Sequence, residues 1–320
     1  MPSTGYVGRD DALALIVEQR SNEIISQAAT TSVALSTFRT IKMGTSQLKI
    51  NLLDAFPQAQ WLTATAPADP DIVKKPTTEM AWAAKDLYVE EAACIVVIPE
   101  NVVDDASVPL WPEIESRVAE AVARLIDQTI FFGTAPAGSV PATFPVGGIV
   151  GEATAKNHVH AQGATEDLAE AWNQTMALVE ADGFDVSDAY CDRRVRTSLR
   201  GMRDANGNPL YVTNFATGAS TDAVYGVPLR YVTNGSWDNT TAQAVVGDAS
   251  MGVIGMRQTL TAKRLSEATV GGFNLAEQDM LALRVKTRLG FTVLAPKGIP
   301  GSQSATPYPF AVLGPKAAGP

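Results

Sequence analysis

Cysteine and histidine are scarce in this 320-residue chain, at two residues each. Cys94 and Cys191 lie far apart, without a CxxC pair or a third cysteine. They signal neither a disulfide framework nor a thiolate metal site, and the reducing cytosol is the expected folding compartment. Base is also in deficit. Against 34 acids stand 25 lysines and arginines, a net charge of −9 that disfavours any partner held mainly by phosphate neutralisation. No apolar run approaches the roughly 20 residues a membrane-spanning helix needs. The opening Met-Pro-Ser-Thr-Gly has neither the basic nor the apolar region of a signal peptide. Membrane insertion and secretion by that route are not expected.

Motifs of catalysis are missing as well. The chain contains no phosphate-cradling Gly-x-x-x-x-Gly-Lys-Ser/Thr, no Gly-x-Gly-x-x-Gly, no Gly-x-Ser-x-Gly and no His-Glu-x-x-His. His158 and His160 have a spacing that puts two imidazoles on one side of a strand, but no third ligand is indicated. Their Gly/Ala/Lys-rich surroundings predict a solvated turn. In Asp204-Ala-Asn-Gly-Asn208 the glycine comes too early for a calcium loop, so a tight turn is expected. Glu90-Glu91 and Asp104-Asp105 lack any accompanying base or nucleophile, and solvated edges or helix-entry charges account for them. The run Arg193-Arg194-Val-Arg196, with Arg200 and Arg203, reads as a salt-bridged helix face, with Asp185, Asp188 and Asp192 as partners. No catalytic residue, metal or cofactor is predicted, and the chain reads as a non-enzyme.

What is present is a large apolar content, 46% of residues, ample for a core. Residues 10–29 read as a helix capped by Asp10, with Leu13, Ile16, Val17, Ile24 and Ile25 mostly on one side. From Ser32 to about Thr65 the alternation of Leu48, Ile50 and Leu52 favours extended structure. The Pro67–Pro76 run then breaks any strand, through its prolines and its charges at Asp69, Asp71, Lys74 and Lys75. Trp61–Thr65 and Thr78–Trp82 flank that tip as candidate arms of a hairpin. A long hairpin with a charged, proline-rich tip is hard to bury in its own subunit, so it is a candidate for reaching a neighbour.

An extended apolar stretch from Met80 to Ile98 stops at Pro99 and leads into the best-determined element, a long helix. Ser107 suits its N-cap, Pro109 and Pro112 its first turn, and Gly133 its end. Trp111, Ile114, Val118, Ala121, Val122, Leu125, Ile126 and Thr129 recur at helical spacing and predict the core face. Glu115, Arg117, Glu120, Arg124 and Asp127 are assigned to the opposite side. Residues 133–145 read as a loop and Thr165–Ala181 as a second helix stopped by Asp182-Gly183. Ser187–Cys191 reads as a strand and Asp192–Met202 as a basic-faced helix. Asp279–Pro296 alternates apolar and basic side chains, giving a long strand with one covered face.

Taken in order, these segments resemble the major capsid proteins of tailed bacteriophages, whose fold is the α+β Hong Kong 97 type. The similarity runs over nearly the whole chain and rests on joint order. Leu87 to Ala106 leading into Trp111–Phe132 resembles the strand that enters the spine helix. Asp204–Leu210, Tyr225–Pro228 and Gly247–Ser250 resemble segments of the axial domain, and Asp279–Pro296 resembles the closing strand. The resemblance implies an N-terminal arm over 1–44 and a protruding E-loop over 45–92. It implies a peripheral domain of 93–150 and 275–300 containing a spine helix at 108–132, an axial domain of 151–274, and a C-terminal tail of 301–320. It further implies a shell of hexamers and pentamers assembled in the host bacterial cytoplasm around double-stranded DNA that is enclosed without specific binding. A portal protein, a separate scaffolding protein and a decoration protein are the further partners it suggests. In the namesake phage a lysine–asparagine bond joins subunits. Lys74 and Lys75 stand at the expected tip without a matching asparagine and buried glutamate, so non-covalent assembly is expected. A nanocompartment shell of the encapsulin type shares this fold and is the alternative. An ordinary α+β enzyme with an unrecognised site is the third reading, weakened by the absence of convergent catalytic groups.

Overall fold

The structure is a computed structural model that describes residues 32–55, 57, 59, 61, 77–106, 110–203, 222–297, 299, 302, 304 and 306–317. The helix expected at 10–29, the tip at Pro67–Pro76, the Ser107 cap and the turn at 204–208 lie outside them.

Six α-helices occur among the described residues: α1 (Val33–Thr37), α2 (Glu100–Asp104), α3 (Leu110–Phe132), α4 (Gly148–Ala155), α5 (Leu168–Ala181) and α6 (Val195–Gly201). The first sheet has strand order β1-β10-β13-β4, comprising Arg39–Lys42, Gly252–Leu265, Met280–Val293 and Glu90–Pro99. Strand β13 runs antiparallel to both β10 and β4, with Met280 opposite Pro99 and Leu289 opposite Glu90. Its apolar Ala282, Leu283, Val285 and Leu289 are buried, while Arg284, Lys286 and Arg288 are only partly covered. A central strand with one basic face packs a helix on the other. That helix is α3, whose Val118 meets Leu283 and Val285, with Trp111 and Ile114 packed at the margin.

At 23 residues, α3 spans roughly 35 Å. Gly133 ends it at φ +60°, its N–H still bonded to the Thr129 carbonyl at 3.0 Å. A Cβ there would sit 2.4 Å from the Gly148 nitrogen, so only glycine lets the chain turn against the start of α4.

The second sheet has order β5-β14-β9-β6-β8-β7. Its strands are β5 (Val159–Ala161), β14 (Phe310–Gly314), β9 (Ala244–Gly247), β6 (Asp188–Asp192), β8 (Val227–Val232) and β7 (Ala223–Val224). Helix α5 covers one face through Trp172 and Val179, and α4 packs on the other core through Ile149 and Ala153. Within the range expected as a C-terminal tail, 301–320, one stretch is a strand of this sheet. Phe310–Gly314 is fully covered between β5 and β9. An entirely apolar five-residue run offers solvent no polar face, so it fits an interior position.

One apolar core joins these parts. The Phe38 ring lies 6.0 Å from Phe131, 5.5 Å from Tyr190, 5.7 Å from Phe291 and 5.9 Å from Phe310. Four elements far apart in sequence (α3, β6, β13 and β14) therefore converge on one side chain just after α1.

Candidate assembly surface

Strands β2 (Gln47–Ala55) and β3 (Ala81–Tyr88) form a two-stranded ribbon separate from both sheets. Ala55 pairs with Ala81, Leu53 with Trp82 and Gln47 with Tyr88. The arm opposite Trp82 is thus Leu53 and its neighbours, which corrects the expected Trp61–Thr65 pairing. Short-range composition marks extended chain but carries no register, which is set by what packs at the ribbon base.

At that base Leu87 is fully buried with Met43, Val89, Val253 and Leu294, while Leu48, Ile50 and Leu52 are half-covered. The Val89 N–H donates to the Ser46 carbonyl at 3.0 Å. Gly290 of β13 accommodates the crossing, since a Cβ there would lie 1.8 Å from the Tyr88 carbonyl oxygen. Toward the distal end the cover thins. Trp82 is 66% exposed, Met80 52%, and Trp61, beyond the end of β2, 97%. An isolated two-stranded ribbon is marginal in water, and large apolar side chains left bare on one mark an interaction surface.

Pro67, Asp69, Asp71, Lys74, Lys75 and Pro76 lie outside the described residues. On α3, Val118 and Val122 are buried, and Trp111 and Ile114 are partly covered against the sheet. Leu125 is partly covered and lines an open hollow of about 230 Å³ with Ile126, Ile130 and Phe144. Ala121 is exposed. Asp127 departs from the expected polar face, for it is completely buried. Its carboxylate accepts from the Ser32 hydroxyl, from the Val33 and Ala34 amides at 3.2 and 3.1 Å, and from Asn234 at 2.6 Å. The periodicity placed a charge at a position whose use is to satisfy the open amides of α1. Burial raises this carboxyl above its ordinary range, against the lowering pull of those donors.

The histidines are not in a solvated turn. His158 is buried with Nε2 3.0 Å from Asp182, which also accepts from the Tyr308 amide at 2.7 Å. His160 stands on β5, 2.9 Å from Glu166. Burial lowers the His158 pKa, outweighing the Asp182 charge, and Lys156 adds to the lowering. Among the described residues no group of three His, Cys, Asp or Glu side chains is placed to hold a metal. Glu91 faces Arg288 across the strands at 3.7 Å, and Glu90 accepts from Thr143 at 2.9 Å. The basic run is paired only in part. Arg194 lies 3.5 Å from Asp192, Arg196 bonds Asp222 and covers the Tyr231 ring at 4.1 Å, and Asp188 is taken by Arg230 at 2.9 Å. The Arg230 pairing crosses from β8 to β6 and could not be read from local sequence.

A ribbon with bare apolar side chains, set on a helix-backed sheet, is the feature of a subunit built for assembly. Residues 13–301 match the sequence model of the Phage capsid family, and the chain belongs to that family. A solved chain of Microbacterium phage Oxtober96 is 37% identical, with a TM-score of 0.83 over 97% of this chain and 99% of that one. One from Mycobacterium phage Bobi is 31% identical, with a TM-score of 0.80 over 98% and 99%. A chain from the capsid of a native GTA particle computed with C5 symmetry shares the fold alone, at 16% identity and a TM-score of 0.64 over 95% and 96%. No curated protein matches the sequence. The chain is a capsid shell protein of the virion with the α+β Hong Kong 97-type fold, and the nanocompartment alternative gains no support from these relatives.

Proposed function

We propose that this subunit forms hexamers and pentamers that close into an icosahedral head around packaged double-stranded DNA, assembling in the host cytoplasm. A portal protein fills one vertex, scaffolding comes from a separate chain, and a decoration protein is a further candidate partner. The observation that carries the reading is the ribbon. Its base is locked into the subunit by Leu87 while Trp82 and Met80 are left more than half exposed by the described residues. Many modest contacts of this kind, repeated by symmetry, hold a closed shell. The acidic balance suits a wall that encloses DNA without binding it. The contacts are non-covalent, so shells dissolved in hot detergent run as single subunits.

Electron microscopy of the purified protein tests the reading, with closed particles expected. Deleting residues 67–76 is expected to leave soluble, folded subunits that build no stable shell. Normal particles from that deletion would refute the role of the tip.

A further inference from the structure

We propose that the N-terminal segment 10–29 of this chain docks its carboxylates in an arginine-lined cleft beside α6. The cleft is open and holds about 610 Å³, with Arg193, Arg194, Arg196, Arg200, Thr233 and Gly235 in its wall. Asp192 is the carboxylate in the wall, and it is already engaged by the Arg194 amide at 3.3 Å and by Asn239 at 2.7 Å. Arg196 is satisfied by Asp222. Arg193 and Arg200 are exposed and have no carboxylate partner among the described residues. A fifth guanidinium stands at the rim, since a Cβ on Gly235 would lie 3.9 Å from Arg124 Cζ. Among the described residues, four wall arginines against the two carboxylates Asp192 and Asp222 leave an excess of positive charge in this hollow, on a protein whose overall charge is −9.

The occupant follows from where the described chain begins. Ser32 is bonded to Asp127, and Asp127 to Asn234, whose sequence neighbours Thr233 and Gly235 are wall residues. Ser32, where the described chain begins, is therefore linked to the edge of the cleft. Over 10–29 the preceding segment carries Asp10, Asp11, Glu18 and Glu23 against Arg20 alone. Glu23 lies nine residues before Ser32, a reach of at most roughly 30 Å in extended chain. Carboxylates suit this wall because guanidinium forks bind them with two parallel hydrogen bonds. Duplex phosphate is the competing occupant, and it is disfavoured by the same acidic balance.

Hydrogen–deuterium exchange on the unassembled subunit tests the contact independently of shell formation. Arg193→Glu with Arg200→Glu is expected to speed exchange over residues 10–29 by roughly three- to tenfold, the scale of a few exposed ion pairs. Glu18→Arg with Glu23→Arg should do the same, and all four changes in one chain should restore protection. If the reversed arginines unfold the subunit, Arg193→Gln with Arg200→Gln gives the same readout without opposing charge. Unchanged exchange in these variants overturns the proposal, as does failure of the fourfold variant to recover. Protection restored by mixing the two reversed chains would assign the contact to a neighbouring copy and also overturn it. So would binding of a labelled DNA duplex that the arginine changes abolish while the glutamate changes leave residues 10–29 unaffected.

Discussion

Asn234 donates to the buried carboxylate of Asp127 at 2.6 Å, across 107 positions of sequence. The same carboxylate receives the Ser32 hydroxyl and two amides of α1, so one side chain fastens the start of the described chain to the long helix and to the loop after β8. Replacing it removes an acceptor shared by four buried or half-buried donors. Asp127→Ala is expected to cost about 1–3 kcal/mol for each donor left without a partner, with partial relief from water. Denaturant unfolding measures the loss, and a midpoint within error of the wild type would contradict the account.

Phe38 is the second joint. Its ring touches four aromatic rings from separate elements, so Phe38→Ala leaves a cavity that rigid neighbours cannot fill. The expected loss is about 3–5 kcal/mol, with Phe38→Leu costing clearly less. Equal effects of the two substitutions would show that packing volume is not what Phe38 supplies.

Gly290 is where the ribbon crosses the sheet. A methyl group there collides with the Tyr88 carbonyl, which must move together with the base of β3. Gly290→Ala is expected to redirect the ribbon and impair shell formation more than it impairs folding. Particle counts by microscopy beside a thermal melt of the subunit make the comparison.

Trp82 separates assembly from folding more cleanly. At 66% exposure it contributes little to the isolated subunit. Trp82→Ser should leave the subunit Tm nearly unchanged while weakening assembled shells, as read by sedimentation. A large drop in subunit Tm would place Trp82 in the subunit's own core.

His158 carries a pH signature. Its folded pKa is lowered by burial, so the unfolded chain takes up a proton first as pH falls below about 6.5. The contribution is fully present above that value and is lost as pH falls toward the lowered folded pKa. His158→Gln should flatten this part of the stability–pH curve, and an unchanged curve would remove His158 as its cause.

Local pattern and tertiary placement divide the chain between them. Helical spacing from Trp111 onward and apolar–basic alternation from Met280 onward were legible in the sequence, and α3 and β13 are found there. Both are long, and their periodicity follows directly from covering one face, so neighbouring residues carry the information. The order of segments likewise pointed to the capsid family. Only the tertiary structure decided that Trp82 pairs with Leu53, that Phe310–Gly314 fills the middle of a sheet, and that Asp127 turns inward. Each depends on partners tens to hundreds of positions away. The burial of Asp127 is the sharpest case. Three residues on either side of it read as an ordinary amphipathic helix, and a charge there belongs to solvent until the amides of α1 and the side chain of Asn234 arrive to satisfy it.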